Sequence, residues 1–128
     1  MNIFKAYKLL PFLILFSSAI YSSCNKATDT SRITVAGGSI TEIIYALGQE
    51  ENLIAVDITS NFPKQATELP SIGYVRALSA EGVLSLSPSL ILGENDMGPA
   101  AVMEQLSRVG LDIKIIPEEN TATGIIDK

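Results

Sequence analysis

The chain contains no histidine. That removes Ser-His-Asp triads, the common zinc sites and the usual general base, so any enzyme reading rests on carboxylates alone. Cysteine occurs once, at Cys24. Basic residues are scarce, nine against fourteen acidic ones, for a formal net charge of −5. The longest apolar run, Leu9 to Ile20, is broken by Pro11, Ser17 and Ser18 and is too short for a membrane span. A full glycine-rich dinucleotide fingerprint is missing, and so is a phosphate-binding P-loop lysine.

What is present begins with that apolar run. Lys5 and Lys8 precede it and the small residues Ser22 and Ser23 follow, a pattern that predicts a secretory signal over residues 1–23. A lone free cysteine is awkward in an exported protein. Cys24, at the end of the signal, looks like the lipidated first residue of a bacterial lipoprotein, although Tyr21 stands where such signals usually carry Leu. Lipid chains on Cys24 would hold the protein at a membrane surface, with residues 24–31 as a short polar tether. Removing residues 1–23 leaves seven basic and fourteen acidic residues, a formal charge of −7. Such a surface disfavours a nucleic-acid partner.

From Arg32 the pattern alternates. Short β-type runs at Ile33–Ala36, Leu53–Val56, Leu90–Leu92 and Ile113–Ile116 are separated by helical patterns. Ile40, Ile43, Ile44 and Leu47 form one apolar helical face, with Ser39 and Glu42 as a capping box and Gly48 as the stop. A short helix starts near Ser79 and ends by Pro88, and Val102, Leu106 and Val109 line another that Gly110 closes. This order predicts an α/β fold, a Rossmann-like parallel sheet flanked by helices, over residues 32–128. The runs Leu53–Val56 and Leu90–Leu92 are apolar throughout, as parallel strands buried on both faces are. The pattern stops at a helix that is only beginning, so the chain reads as the first half of something larger.

Three places could carry chemistry. Gly37-Gly38-Ser39 lies between a strand and a helix N-terminus, where free backbone N–H groups favour anions. In open α/β sheets ligands bind at such strand ends; a tight turn with a cap explains the same residues. Tyr74 and Arg76 are two apart, so an extended segment would place both side chains on one face. A tyrosine phenolate can ligate ferric haem, and arginine suits a propionate. Spacing alone favours a half-buried tyrosine beside a surface arginine. Glu81 falls in the first turn of its helix, where the dipole favours a carboxylate. The cluster Glu94-Asn95-Asp96 reads as a solvated turn.

Beyond these readings, the segments Gly37–Gly48, Val56–Ser60 and Gly73–Gly82, with Leu84–Leu90 and Gly98-Pro99, resemble the N-terminal lobe of class III periplasmic substrate-binding proteins. Gly73-Tyr74-Val75-Arg76 running into Ser79-Ala80-Glu81-Gly82 is most similar to the haem-binding branch that serves ABC importers. The resemblance implies a binding protein rather than an enzyme, with haem as transported ligand and no catalytic cofactor. It implies Tyr74 as axial ligand of the haem iron and Arg76 as a haem contact; Gly38 and Ser39, from their place at a strand end, are expected to contact the same ligand. It also implies Glu81 as the carboxylate that docks on the transporter permease, and a monomer exported to the periplasm or cell surface on its lipid anchor. Family members have two lobes with the ligand between them. The second lobe is absent from these 128 residues, so the chain alone is expected to bind haem weakly and not to deliver it. Within the same fold a corrinoid or ferric siderophore is the alternative cargo. A flavodoxin-like domain holding a flavin or nucleotide at the Gly38–Ser39 turn is the alternative from a different class.

Overall fold

The computed structural model describes residues 29–119 and 121–128. The expected signal over residues 1–23, Cys24 and most of the tether lie outside them. Four parallel strands form the sheet: β1 (Ile33–Ala36), β2 (Leu53–Val56), β5 (Leu90–Glu94) and β6 (Asp112–Ile116), in the order β2-β1-β5-β6. Between β2 and β5 the chain makes a small antiparallel hairpin, β3 (Gly73–Tyr74) and β4 (Ala77–Leu78). The helices are α1 (Gly38–Ala46), α2 (Ala80–Ser85), α3 (Ala100–Arg108) and α4 (Ala122–Asp127). The parallel α/β architecture expected from the sequence is therefore present, with all four strands within a residue or two of their predicted places.

Strand alternation sorts the side chains into two layers. Val35 and Leu90 face α1, where Ile40 and Ile44 close over them. Ala36 and Ile91 face the other way, toward α2 and α3, where Val83 and Leu106 complete the layer. Val35, Val83, Ile91 and Leu106 are fully buried, and each such side chain contributes roughly 1.5–3 kcal/mol through burial. The β1–β2 register slips between Ile33 and Thr34, so Ile33 pairs with Leu53 and Thr34 with Ala55. Ile54 is left out of the ladder and is only partly buried.

Three local expectations are corrected. The capping box at Ser39 and Glu42 does not form: Gly37 is the N-cap, with φ 147° and no side-chain cap bond. Of the predicted α1 face only Ile40 and Ile44 are buried, while Leu47 is 68 % exposed because the helix ends one residue earlier, at Ala46. Val109, expected on the buried face of α3, lies beyond the end of that helix and is exposed. The cap at Ser79 does form, its Oγ accepting from the Gly82 N–H at 3.3 Å.

Candidate functional site

The strand order determines where a crevice opens. From β1 the chain leaves toward β2, and from β5 toward β6, so the switch in direction lies between the carboxyl ends of β1 and β5. Loops part at such a point, and ligands of open α/β sheets bind there. An open cavity of about 790 Å³ occupies this place, and Gly38, Ser39, Ile43, Phe62, Glu94 and Lys128 are among the residues that line it.

The loops around the cavity are held by a buried carboxylate. Asp57, just past β2, is 2 % exposed. Its Oδ1 accepts from the Gly37 N–H at 3.2 Å and the Ser60 hydroxyl at 2.8 Å. Its Oδ2 accepts from the Thr59 N–H at 3.1 Å and the Thr59 hydroxyl at 2.7 Å. Buried Thr41 extends the network to Ser60 at 2.8 Å. Asp57 thus ties the loop after β1 to the loop after β2. The two backbones come so close that a Cβ on Gly38 would stand 2.9 Å from the Thr59 carbonyl oxygen, an approach open only to glycine.

The expected anion site at the α1 N-terminus meets a carboxylate of the protein itself. Glu94 Oε1 accepts from the Ser39 hydroxyl at 2.5 Å and from Lys128 Nζ at 2.8 Å. Its side chain lies against Gly37, where an added Cβ would approach it to 2.9 Å. Glu118 Oε1 is 3.4 Å from the same ammonium. Burial alone would lower the Lys128 pKa, but the hydrogen bond and charge of Glu94, with Glu118, outweigh it and leave the ammonium above its ordinary value.

Tyr74 and Arg76 do come together, though not along one extended strand. Tyr74 ends β3 and pairs with Ala77, so Val75 and Arg76 form a two-residue hairpin turn. Val75 and Leu78 turn inward and are buried, while Tyr74 (41 % exposed) and Arg76 face solvent. The hairpin is fastened on both sides. The Ile58 N–H donates to the Gly73 carbonyl at 2.9 Å. Gly98 donates to the Val75 carbonyl at 3.0 Å and accepts from the Leu78 N–H at 2.9 Å. Arg76 Nε donates to Asp96 Oδ2 at 2.6 Å. That hydrogen bond, then the Asp96 charge, then Tyr74 raise the Arg76 pKa above its ordinary value, against an opposing effect of burial.

The predicted residues therefore divide. Gly38 and Ser39 line the cavity, whereas Tyr74 and Arg76 stand at the hairpin tip and are not among its lining residues. Glu81 is exposed in the first turn of α2 and makes no ion pair among the described residues. Sequence reasoning missed Asp57, Glu94, Asp96 and Lys128 as parts of the site. Asp57 had a local signal, since a Thr two residues and a Ser three residues after an Asp can fold back on its carboxylate.

An α/β lobe with its crevice at the carboxyl ends of β1 and β5 is an architecture of ligand-binding proteins. Residues 33–128 match the model of the family described as "Periplasmic binding protein", and the chain belongs to that family. It is 34 % identical over 115 residues to the vitamin B12-binding protein of Photorhabdus laumondii, covering 90 % of this chain and 39 % of that protein. A periplasmic heme binding protein from Pseudomonas aeruginosa superposes with a TM-score of 0.71 at 40 % identity, over 73 % of this chain and 34 % of the other. The periplasmic heme binding protein HutB of Vibrio cholerae superposes at 0.69 with 42 % identity, over 75 % and 37 %. The chain thus spans less than two fifths of the length of each of these relatives.

Proposed function

We propose that this chain is the N-terminal lobe of an exported haem-binding protein that captures haem and passes it to an ABC-type importer. The observation that carries the reading is the hairpin tip: a solvent-facing phenol beside a guanidinium, on a turn fastened to the sheet from two sides. Tyr74 is the axial ligand of ferric iron and Arg76 contacts a propionate. Gly38 and Ser39, which line the cavity, are further haem contacts. Glu81, exposed on α2, is the contact for the permease. Residues 1–23 are the export signal, Cys24 carries the lipid, residues 24–31 are the tether and residues 32–128 the lobe. The protein acts as a monomer in the periplasm or at the cell surface, performs no catalysis and binds no nucleic acid. One lobe buries less of a ligand than a two-walled cleft, so the lobe alone binds weakly.

Two heme-binding neighbours at 40 % and 42 % identity support this reading. Relatives named for vitamin B12, at up to 34 %, favour a corrinoid as the second reading. Titration with hemin, in competition with cobalamin, separates the two. Tyr74→Phe is expected to lose about tenfold or more in hemin affinity, together with the high-spin ferric spectrum of a phenolate ligand. Unchanged affinity and spectrum in that variant, or displacement of hemin by equimolar cobalamin, would sink the haem assignment.

A further inference from the structure

Among the described residues, Arg76 meets the protein through one nitrogen only. Its Nε donates to Asp96 Oδ2 at 2.6 Å, and neither terminal nitrogen has a partner among the described residues. The guanidinium side chain is 64 % exposed. A carboxylate that engages only Nε leaves the edge formed by the two terminal nitrogens open, and that edge can take a second carboxylate through two parallel hydrogen bonds.

Asp96 is itself well placed to hold a direction. It lies in a tight turn after β5, closed by the Met97 N–H donating to the Glu94 carbonyl at 3.0 Å. Met97 is buried in the core. Gly98, two residues on, carries both backbone hydrogen bonds that clamp the hairpin at Val75 and Leu78. The turn that presents the carboxylate and the turn that presents the guanidinium are therefore one locked unit. Asp96 Oδ1 is buried and has no hydrogen-bond partner among the described residues. Such an arrangement costs free energy, so the orientation is not one that this carboxylate would adopt for its own solvation.

We propose that Asp96 is a positioning residue for Arg76: it takes the Nε–H and so points the terminal nitrogens at a carboxylate of the bound ligand. This rests on the haem reading above and adds a determinant for ligands that bear free carboxylates. A long, rotamer-rich arginine loses less entropy on binding when it is already held. Asp96 also carries a negative charge, which by itself repels an anionic ligand, and the two roles predict different things. If positioning governs, Asp96→Asn keeps an acceptor for Nε and binds hemin at least as well as the unaltered chain. Asp96→Ala loses the acceptor and binds about three- to tenfold more weakly. If charge governs, the two variants behave alike and both bind more tightly.

The experiment titrates the chain, Asp96→Asn, Asp96→Ala, Arg76→Ala and the Arg76→Ala/Asp96→Ala double variant with hemin and with hemin dimethyl ester. The expected result is a loss for Asp96→Ala with hemin, rescue by Asn, no loss with the diester, and no further loss in the Arg76→Ala background. Equal affinities for Asp96→Ala and Asp96→Asn overturn the positioning role, as does a loss that persists with the diester. Those outcomes leave the haem reading standing as long as Tyr74→Phe and Arg76→Ala weaken hemin binding. If neither of these weakens it, or the unaltered chain binds no hemin, the haem reading falls and this inference with it.

Discussion

Asp57 shows how much of this site depends on a single buried side chain. A carboxylate at 2 % exposure would be costly unpaired, but here four donors converge on its two oxygens. Two donors are backbone N–H groups, of Gly37 and Thr59. Asp57→Ala takes the shared acceptor from all four and is expected to cost roughly 2–4 kcal/mol, read as a shift of the urea midpoint at constant slope. Asp57→Asn is no full rescue, because in either orientation its amide nitrogen faces one of the two backbone N–H groups, which cannot accept. A loss below about 0.5 kcal/mol for Asp57→Ala would mean that water replaces the carboxylate and that the loops are not held this way.

At the scale of elements, α4 is joined to the sheet by an ion pair near its end. Lys128 reaches Glu94 at the end of β5, and only 9 % of the Lys128 side chain is exposed. Its folded pKa is raised above 10.5, so the charged form is favoured by folding. The contribution is complete below 10.5, the unfolded value, and is lost as pH rises through the higher folded value. Lys128→Gln is therefore expected to melt below the unaltered chain at pH 8 and to converge with it above pH 10.5. A gap in melting temperature that stays constant across that range would show that packing, not charge, holds the residue. The four strands were legible because their apolar runs and their spacing are local facts. The cap of α1 was not, because the carboxylate that engages Ser39 comes from Glu94, 55 residues away. The hairpin was missed for the same reason: Gly98, which clamps it, stands more than twenty residues on. Tyr74 and Arg76 were singled out through the family resemblance, with their spacing read as one extended face, but the geometry is a turn rather than a strand. Asp96, which looked like part of a solvated turn, acquires its partner only through the fold.

For the whole chain, charge opposes the proposed ligand. The sequence carries a net charge of −5, or −7 once residues 1–23 are removed. Hemin with two ionised propionates is anionic. At the hairpin Arg76 is matched by Asp96, and at the cavity Lys128 stands against Glu42, Glu94 and Glu118. No basic funnel is therefore available among these residues to steer an anion inward. Long-range repulsion is screened by salt over a Debye length of about 8 Å at 0.15 M, whereas a contact at hydrogen-bond distance is screened far less. The hemin association rate is expected to rise several-fold between about 10 mM and about 500 mM salt, opposite to the usual steered encounter. Arg76→Ala makes the chain one unit more negative, so its rate is expected to rise more steeply with salt even though its affinity is lower. Stopped-flow measurement of both chains across that range checks the sign. A rate that falls with salt in the unaltered chain would mean that a local positive field at the Arg76 edge outweighs the net charge in guiding the ligand.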